Sequence, residues 1–139
     1  MTESSDIMYS ETRALPPDQI LALYRANGWS SAEKPAELQH SLKNSHRLVS
    51  AWEGEHLIGL GNSISDDVLV VYYSHLLVLP EYQGRGIGRE IMQRLMSHYE
   101  GFHQQVTLAD ERATAFFEKL GFTRAGKTKP MWIFSGDEH

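Results

Sequence analysis

The chain contains no cysteine. Disulfides, thiolate metal sites and a cysteine nucleophile are thereby excluded, and with them any acyl-cysteine intermediate. Positive charge is also in short supply: 13 Lys and Arg stand against 18 Asp and Glu, a net charge of −5. Nucleic-acid binders carry a basic face, so no nucleic-acid partner is expected. No stretch approaches the roughly 18 consecutive apolar residues of a membrane span. The opening MTESSDIMYSETR is polar and acidic, unlike a secretory leader. The expected location is therefore cytoplasmic, with no membrane partner. The seven histidines do not cluster; His40 and His46 straddle one predicted helix end, and His98 and His103 flank another. No metal site is expected from such spacing. Internal repeats, low-complexity segments and linkers are missing too, so residues 1–139 are expected to form one domain.

What is present is a series of short alternating elements. IMYSETR alternates weakly and predicts a first strand. In LPPDQILALYRANGW, Pro17 suits a first helical turn, Ile20, Leu21, Leu23 and Tyr24 supply an apolar face, and Gly28 supplies a stop. PAELQHSLKN, Pro35 to Asn44, predicts a second short helix on Leu38 and Leu42. RLVSAW and HLIGLGNSIS read as a hairpin across the turn EGE. Val68 to Leu79, VLVVYYSHLLVL, is nearly all apolar and predicts a central strand buried on both faces. A helix follows from Gly86 to Tyr99, with Ile87, Ile91 and Leu95 in one line. QQVTLAD predicts a strand, ERATAFFEKL a helix closed by Gly121, and FTRAGKTKPMWIFSG two final strands. The fold class is α/β (α+β): one mixed central sheet flanked by helices.

The most informative stretch is QGRGIG, Gln83 to Gly88, between the apolar strand and the long helix. The first turn of a helix has N–H groups without internal acceptors, and the helix dipole adds partial positive charge there. Glycine permits positive φ and removes the Cβ that would hold an anion away. Arg85 and Arg89 add formal charge, so the pattern points to a phosphate cradle. It is not the dinucleotide fingerprint: counted from Gly84 or Gly86, the sixth position is Arg89 or Ile91. The Walker pattern occurs at Gly121 to Thr128, GFTRAGKT, but follows a helix and precedes a predicted strand. A phosphate-binding loop of that kind follows a strand and opens a helix, so the match reads as chance.

Gln83-x-x-Gly86-x-Gly88 after a strand, with the lead-in VLPEYQGRGIG, resembles the GNAT superfamily of N-acetyltransferases. A second stretch agrees: ATAFFEKLGF, Ala113 to Phe122, is similar to the family's fourth-helix motif. The resemblance is strong over about Val68 to Phe122 and extends upstream only in element order. It implies a GNAT-type acyl-CoA fold with six or seven strands and about four helices. It implies acetyl-CoA as cosubstrate, its diphosphate held by Gln83, Gly84, Arg85, Gly86, Ile87, Gly88 and Arg89. The pantetheine amides would pair with the backbone of Leu76, Leu77 and Val78 as an added strand pairs with a sheet edge. The acetyl group would pass directly to a primary amine of a small molecule, without an acyl-enzyme. Late strands in this family often pair between chains, so a homodimer is a further expectation.

Proton handling departs from the family. The position of the usual general-acid tyrosine in the fourth-helix motif carries Phe117, which cannot donate a proton but still lies where the cofactor would pass. Tyr72, Tyr73 and Tyr82 are the candidate replacements. The resemblance places a base, or a residue holding a water, at Tyr72 and Ser74. His75 is a further candidate, since an unperturbed imidazole with a pKa of about 6.5 suits a base; a satisfied core histidine is its first reading. Asp110 reads as a base near the thioester or as the N-cap of the helix opened by Glu111. Trp29 either faces the acceptor amine, together with Tyr72, or pins its loop. Trp132 reads as core or, next, as a substrate contact, and Trp52 reads as core. Phe117 also keeps open a second class of function: a module that holds acetyl-CoA without turnover. A third reading changes the acceptor to a protein amine.

Overall fold

A computed structural model describes residues 6–136; of the polar N-terminal stretch, residues 1–5 lie outside the described residues. The elements are β1 (Ile7–Ser10), α1 (Pro17–Ala26), α2 (Pro35–Lys43), β2 (Arg47–Glu53), β3 (His56–Ser65), β4 (Val70–Val78), α3 (Ile87–Met96), β5 (Gln104–Thr107) and α4 (Thr114–Lys119). Strands pair in chain order, β1-β2-β3-β4-β5. The first three pairings are antiparallel and β4–β5 is parallel. Among the described residues no helix is long and apolar enough to cross a membrane.

The two faces of the sheet carry different helices, and β3 shows why. A Cβ built on Gly61 would lie 2.8 Å from Ile91 and 3.1 Å from Leu95, and one on Gly59 3.3 Å from Ile91. Two bare positions on β3 thus let α3 seat directly on the strand, with Ile87, Ile91, Met92 and Leu95 buried. The alternate residues of β3 point the other way. On that side Tyr24 of α1 meets His75 of β4, the residue opposite Asn62. α1 and α3 therefore cover opposite faces, and the core runs from Leu23 and Tyr24 through Leu48, Ile58, Leu60 and Val71 to Ile91 and Leu95.

Several expectations fail in the second half of the chain. The sheet has five strands among the described residues, not six or seven, because FTRAGKTKPMWIFSG forms no strand. Gly126 adopts φ +61° in a turn closed by the Thr128 amide on the Ala125 carbonyl. Pro130 removes a ladder donor just before the apolar residues. Met131, Trp132, Ile133 and Phe134 are consequently exposed, and Trp132 is not a core residue. The fourth strand begins at Val70 rather than Val68, since Asp66 takes the amides of Val68, Leu69 and Val70 on Oδ1 and folds them into a turn. It is less buried than predicted: Tyr72, Ser74, His75 and Leu76 are half-buried. The fifth strand stops at Thr107, and α3 ends at Met96 rather than Tyr99.

Candidate active site

The site begins with an irregularity in β4. Asn62 stands opposite His75, and the next pair is Ile64 with Tyr72. Two steps along β3 thus correspond to three along β4, so β4 carries one extra residue at Tyr73–Ser74, a β-bulge. The bulge breaks the alternation of faces. Tyr73 packs edge-on to Tyr99 and Phe122 at 5.9 and 6.0 Å. His75, two residues on, lies on the α1 face at 5.5 Å from the Tyr24 ring and 5.1 Å from Trp29.

The bulge coincides with a splay. β5 pairs with β4 from Val70 to Tyr73 and no further. Between the second half of β4 and residues 108–117 opens a cleft of about 470 Å³. Its walls are Ser74 and Leu76 of β4, Thr107 to Asp110 beyond β5, Phe117 of α4, Met92 of α3, and Asn27 and Trp29 beyond α1. Gln83 marks the end nearest the glycine turn.

The edge of β4 facing this cleft offers backbone groups. The Leu79 amide bonds the Ile58 carbonyl at 2.8 Å. Antiparallel pairing alternates, so Leu77 bonds Leu60 on β3 while Leu76 and Val78 turn their N–H and C=O toward the open side. The Val78 carbonyl accepts from Gln83 Nε2 at 2.9 Å and Asn27 Nδ2 at 3.2 Å, as that orientation requires.

At the end of the strand, Gly84 and Gly86 adopt φ +81° and +83°, and nothing lies within 4 Å of a Cβ built on either. Gly86 is the N-cap of α3 and contributes no side-chain cap. The first α3 bond runs from the Glu90 amide to the Gly86 carbonyl, so the amides of Ile87, Gly88 and Arg89 precede the ladder. Arg85 turns back, donating to the Glu81 carbonyl at 3.1 Å with its guanidinium 5.0 Å from the Tyr82 ring. Arg89 is exposed. The amides of Ile87, Gly88 and Arg89 are thus left without a side-chain cap, and the space beside Gly84 and Gly86 is open, the features an anion at a helix N-terminus requires.

The acid–base candidates are dispersed. Asp110 accepts from the amides of Arg112 at 2.8 Å and Ala113 at 3.1 Å, so it caps the turn that leads into α4 while lining the cleft. Ser74 lines the cleft and donates its hydroxyl proton to Asn62 Oδ1 at 2.8 Å. His75 Nδ1 is hydrogen-bonded to the Tyr24 hydroxyl at 2.7 Å, and neither His75 nor Tyr72 is part of the cleft wall. Burial pushes the Tyr24 phenol well above its usual pKa, and burial also raises Tyr72. Tyr73 is raised by burial first and by nearby Tyr99 second, and its hydroxyl donates to Gln105 Oε1 at 2.6 Å. Tyr82 donates to the Glu53 carboxylate, which raises its pKa. Phe117 lies between Phe116 and Phe122, 8% exposed, against the cleft. Trp29 packs on Tyr24 and His75 and also lines the cleft. Among the described residues no group of three or more His, Asp or Glu could hold a metal ion.

Asn27 and Asn62 went unnoticed in the sequence. Asn62 had a signal: a primary amide inside the apolar strand HLIGLGNSIS, where burial is costly unless it is fully bonded.

A mixed sheet splayed at a bulge, with an uncapped helix end beyond it, is the architecture of an acyltransferase. The chain belongs to the GNAT acetyltransferase family: the family model described as "Acetyltransferase (GNAT) domain" matches residues 11–131. It is 30% identical over 138 residues to the N-alpha-acetyltransferase RimI of Mycobacterium tuberculosis, covering 86% of this chain and 87% of that one. A putative acetyltransferase from Deinococcus radiodurans superposes with a TM-score of 0.81 at 27% identity, over 97% of this chain and 94% of that chain. The fold extends to the aminoglycoside N-acetyltransferase AAC(6')-Iy in complex with CoA, TM-score 0.69 at 14% identity, over 98% of each chain.

Proposed function

We propose that this chain, as a single domain over residues 1–139, transfers an acetyl group from acetyl-CoA directly to a primary amine of a small molecule. The observation that carries the reading is the succession of three features: the bare amides at Ile87 to Arg89, the outward backbone groups of Leu76 and Val78, and the cleft lined by Ser74, Leu76 and Gln83. Acetyl-CoA supplies an activated thioester. The glycine turn holds its diphosphate, and the Leu76 and Val78 edge orients the pantetheine by main-chain hydrogen bonds. To admit a new donor, the Val78 carbonyl releases Asn27 or Gln83.

The amine attacks the carbonyl carbon, the C–S bond breaks, and coenzyme A departs as thiolate. A free alkylamine with a pKa near about 10.4 is almost wholly protonated at neutral pH, so a proton must leave first. The Ser74 proton is committed to Asn62, so its oxygen presents lone pairs to an incoming ammonium N–H. Asp110 keeps an exposed carboxylate at the same cleft to receive the proton directly or through water. The thiolate, with a pKa of about 8.5 if it resembles Cys, can leave without a dedicated acid, which suits Phe117.

A second acceptor class, the α-amino group of a protein, is favoured by the similarity to RimI over nearly the full length of both chains. One assay separates the readings: the protein with acetyl-CoA is offered small amines and peptides with free N-termini, and released thiol is followed with a thiol reagent. The cysteine-free chain adds no background. Thiol release that depends on a small amine supports the proposal. Release with peptides alone moves the acceptor to proteins, and tight acetyl-CoA binding without release across both panels leaves a binding module.

A further inference from the structure

Asn62 is 1% exposed in the middle of β3. Its bonds leave no freedom of orientation. Oδ1 accepts from the Ser74 hydroxyl at 2.8 Å and from the His75 amide at 2.8 Å. Nδ2 donates to Ser45 Oγ at 2.9 Å, and Ser45 gives its own proton to the Ser41 carbonyl at 3.1 Å. An amide N–H can only donate, so Oδ1 must face His75, and Nδ2 must face the oxygen of Ser45. One acceptor bond falls on Ser74, in the bulge, and the other on His75, the first residue back in register after it. A bulge disrupts the ladder and leaves main-chain groups to be satisfied otherwise. Here one side chain from the neighbouring strand takes over that task at His75, and the end of α2 holds it in turn.

We propose that Asn62 is a positioning residue for acetyl transfer, fixing the β4 bulge so that Ser74 and the open edge beyond it face the thioester. This inference rests on the acetyltransferase reading above. Asn62 does not line the cleft and acts through Ser74 and the His75 backbone. A displacement of about 1 Å at a reacting centre costs up to roughly a hundredfold in rate. The diphosphate grip lies at the far end of β4 and does not depend on the bulge.

The test compares Asn62→Leu, which removes all three bonds and keeps the branched shape, with Leu57→Ala, which destabilises the fold at a buried position at the other end of β3, away from the cleft. For Asn62→Leu, kcat is expected to fall about 10- to 100-fold while the acetyl-CoA KM stays within about threefold. Leu57→Ala, at a melting temperature lowered as much or more, is expected to keep kcat. The amide NMR signals of Ser74 and His75 are expected to move in Asn62→Leu and to stay in place in Leu57→Ala. Unchanged kcat in folded Asn62→Leu overturns the proposal, as does an equal loss in Leu57→Ala. If Asn62→Leu does not fold, Ser45→Ala removes only the anchor. It is expected to lower kcat and shift the Ser74 signal, and wild-type behaviour overturns the proposal. Should the wild type acetylate no amine at all, the acetyltransferase reading fails and the inference with it; with an active wild type, unmoved Ser74 and His75 signals in Asn62→Leu refute the inference alone.

Discussion

Gly86 and Gly101 allow the anion cradle to be separated from folding. Both adopt left-handed backbone, φ +83° and +84°, and nothing lies within 4 Å of a Cβ at either. Alanine at each position therefore meets no neighbour and costs chiefly the left-handed strain, about 1–2 kcal/mol. For a domain of this size that corresponds to a melting temperature lowered by roughly 3–8 °C in either variant. The two sites differ in what occupies the space around them. Gly101 lies beyond the C-terminal end of α3, whereas Gly86 opens that helix beside the uncapped amides of Ile87 to Arg89. If those amides grip a diphosphate, a methyl group at Gly86 displaces it or relaxes φ and re-aims the donors. Hydrogen bonds to charged groups contribute about 1.5–3 kcal/mol each. Losing one weakens coenzyme A binding by roughly 10- to 150-fold. Isothermal titration of coenzyme A into both variants at 15 °C, where both remain folded, reads the difference. Gly86→Ala is expected to lose at least about tenfold in affinity, and Gly101→Ala to bind as the wild type. Equal affinities would refute the cradle, because strain is common to both and the amides are not.

Three further outcomes follow from packing and titration. Phe117→Tyr places a phenol on the cleft wall; kcat at pH 7 is expected to stay unchanged, as for a thiolate that leaves without an acid, and a rise would mean that its protonation is limiting. Gly61→Ala drives a Cβ to 2.8 Å from Ile91 and is expected to cost about 1–3 kcal/mol by overpacking, measured by urea unfolding; a loss below about 0.5 kcal/mol would show that α3 moves away freely. Burial raises Tyr24 and Tyr73 above the unfolded value of 10.0, so both stay neutral in the folded chain while the unfolded chain ionises. Their stabilisation is complete below about pH 10 and is lost as pH climbs toward the folded values. Melting temperatures are therefore expected to hold from about pH 7 to 9 and fall above 10; replacing both residues with Phe should flatten that fall.

The glycine turn was legible because its chemistry is local: three glycines, a preceding strand and a following helix lie within about twenty residues of sequence. The helices α1 to α3 were legible for the same reason, through apolar spacing and proline starts. The bulge was not, because an extra residue in β4 has meaning only against the register of β3. Asn62 shares that limit: its polarity was visible, but its partners Ser45, Ser74 and His75 come from two other elements. The final strands were misread because KPMWIF has strand composition without a neighbour in the sheet, and pairing is a property of two segments rather than one. His75 looked like a base on its unperturbed chemistry, yet the bulge carries its side chain away from the cleft wall and toward Tyr24.

The splay beside β4 has a cost that concerns the unliganded molecule. A strand edge with unsatisfied main-chain groups will accept any extended polypeptide, including another copy of itself. Asn27 and Gln83 reach across to the Val78 carbonyl and use both of its lone pairs. Two side-chain amides thus occupy the acceptor that a stray strand would need, and on the proposed reading one of them gives way to the pantetheine.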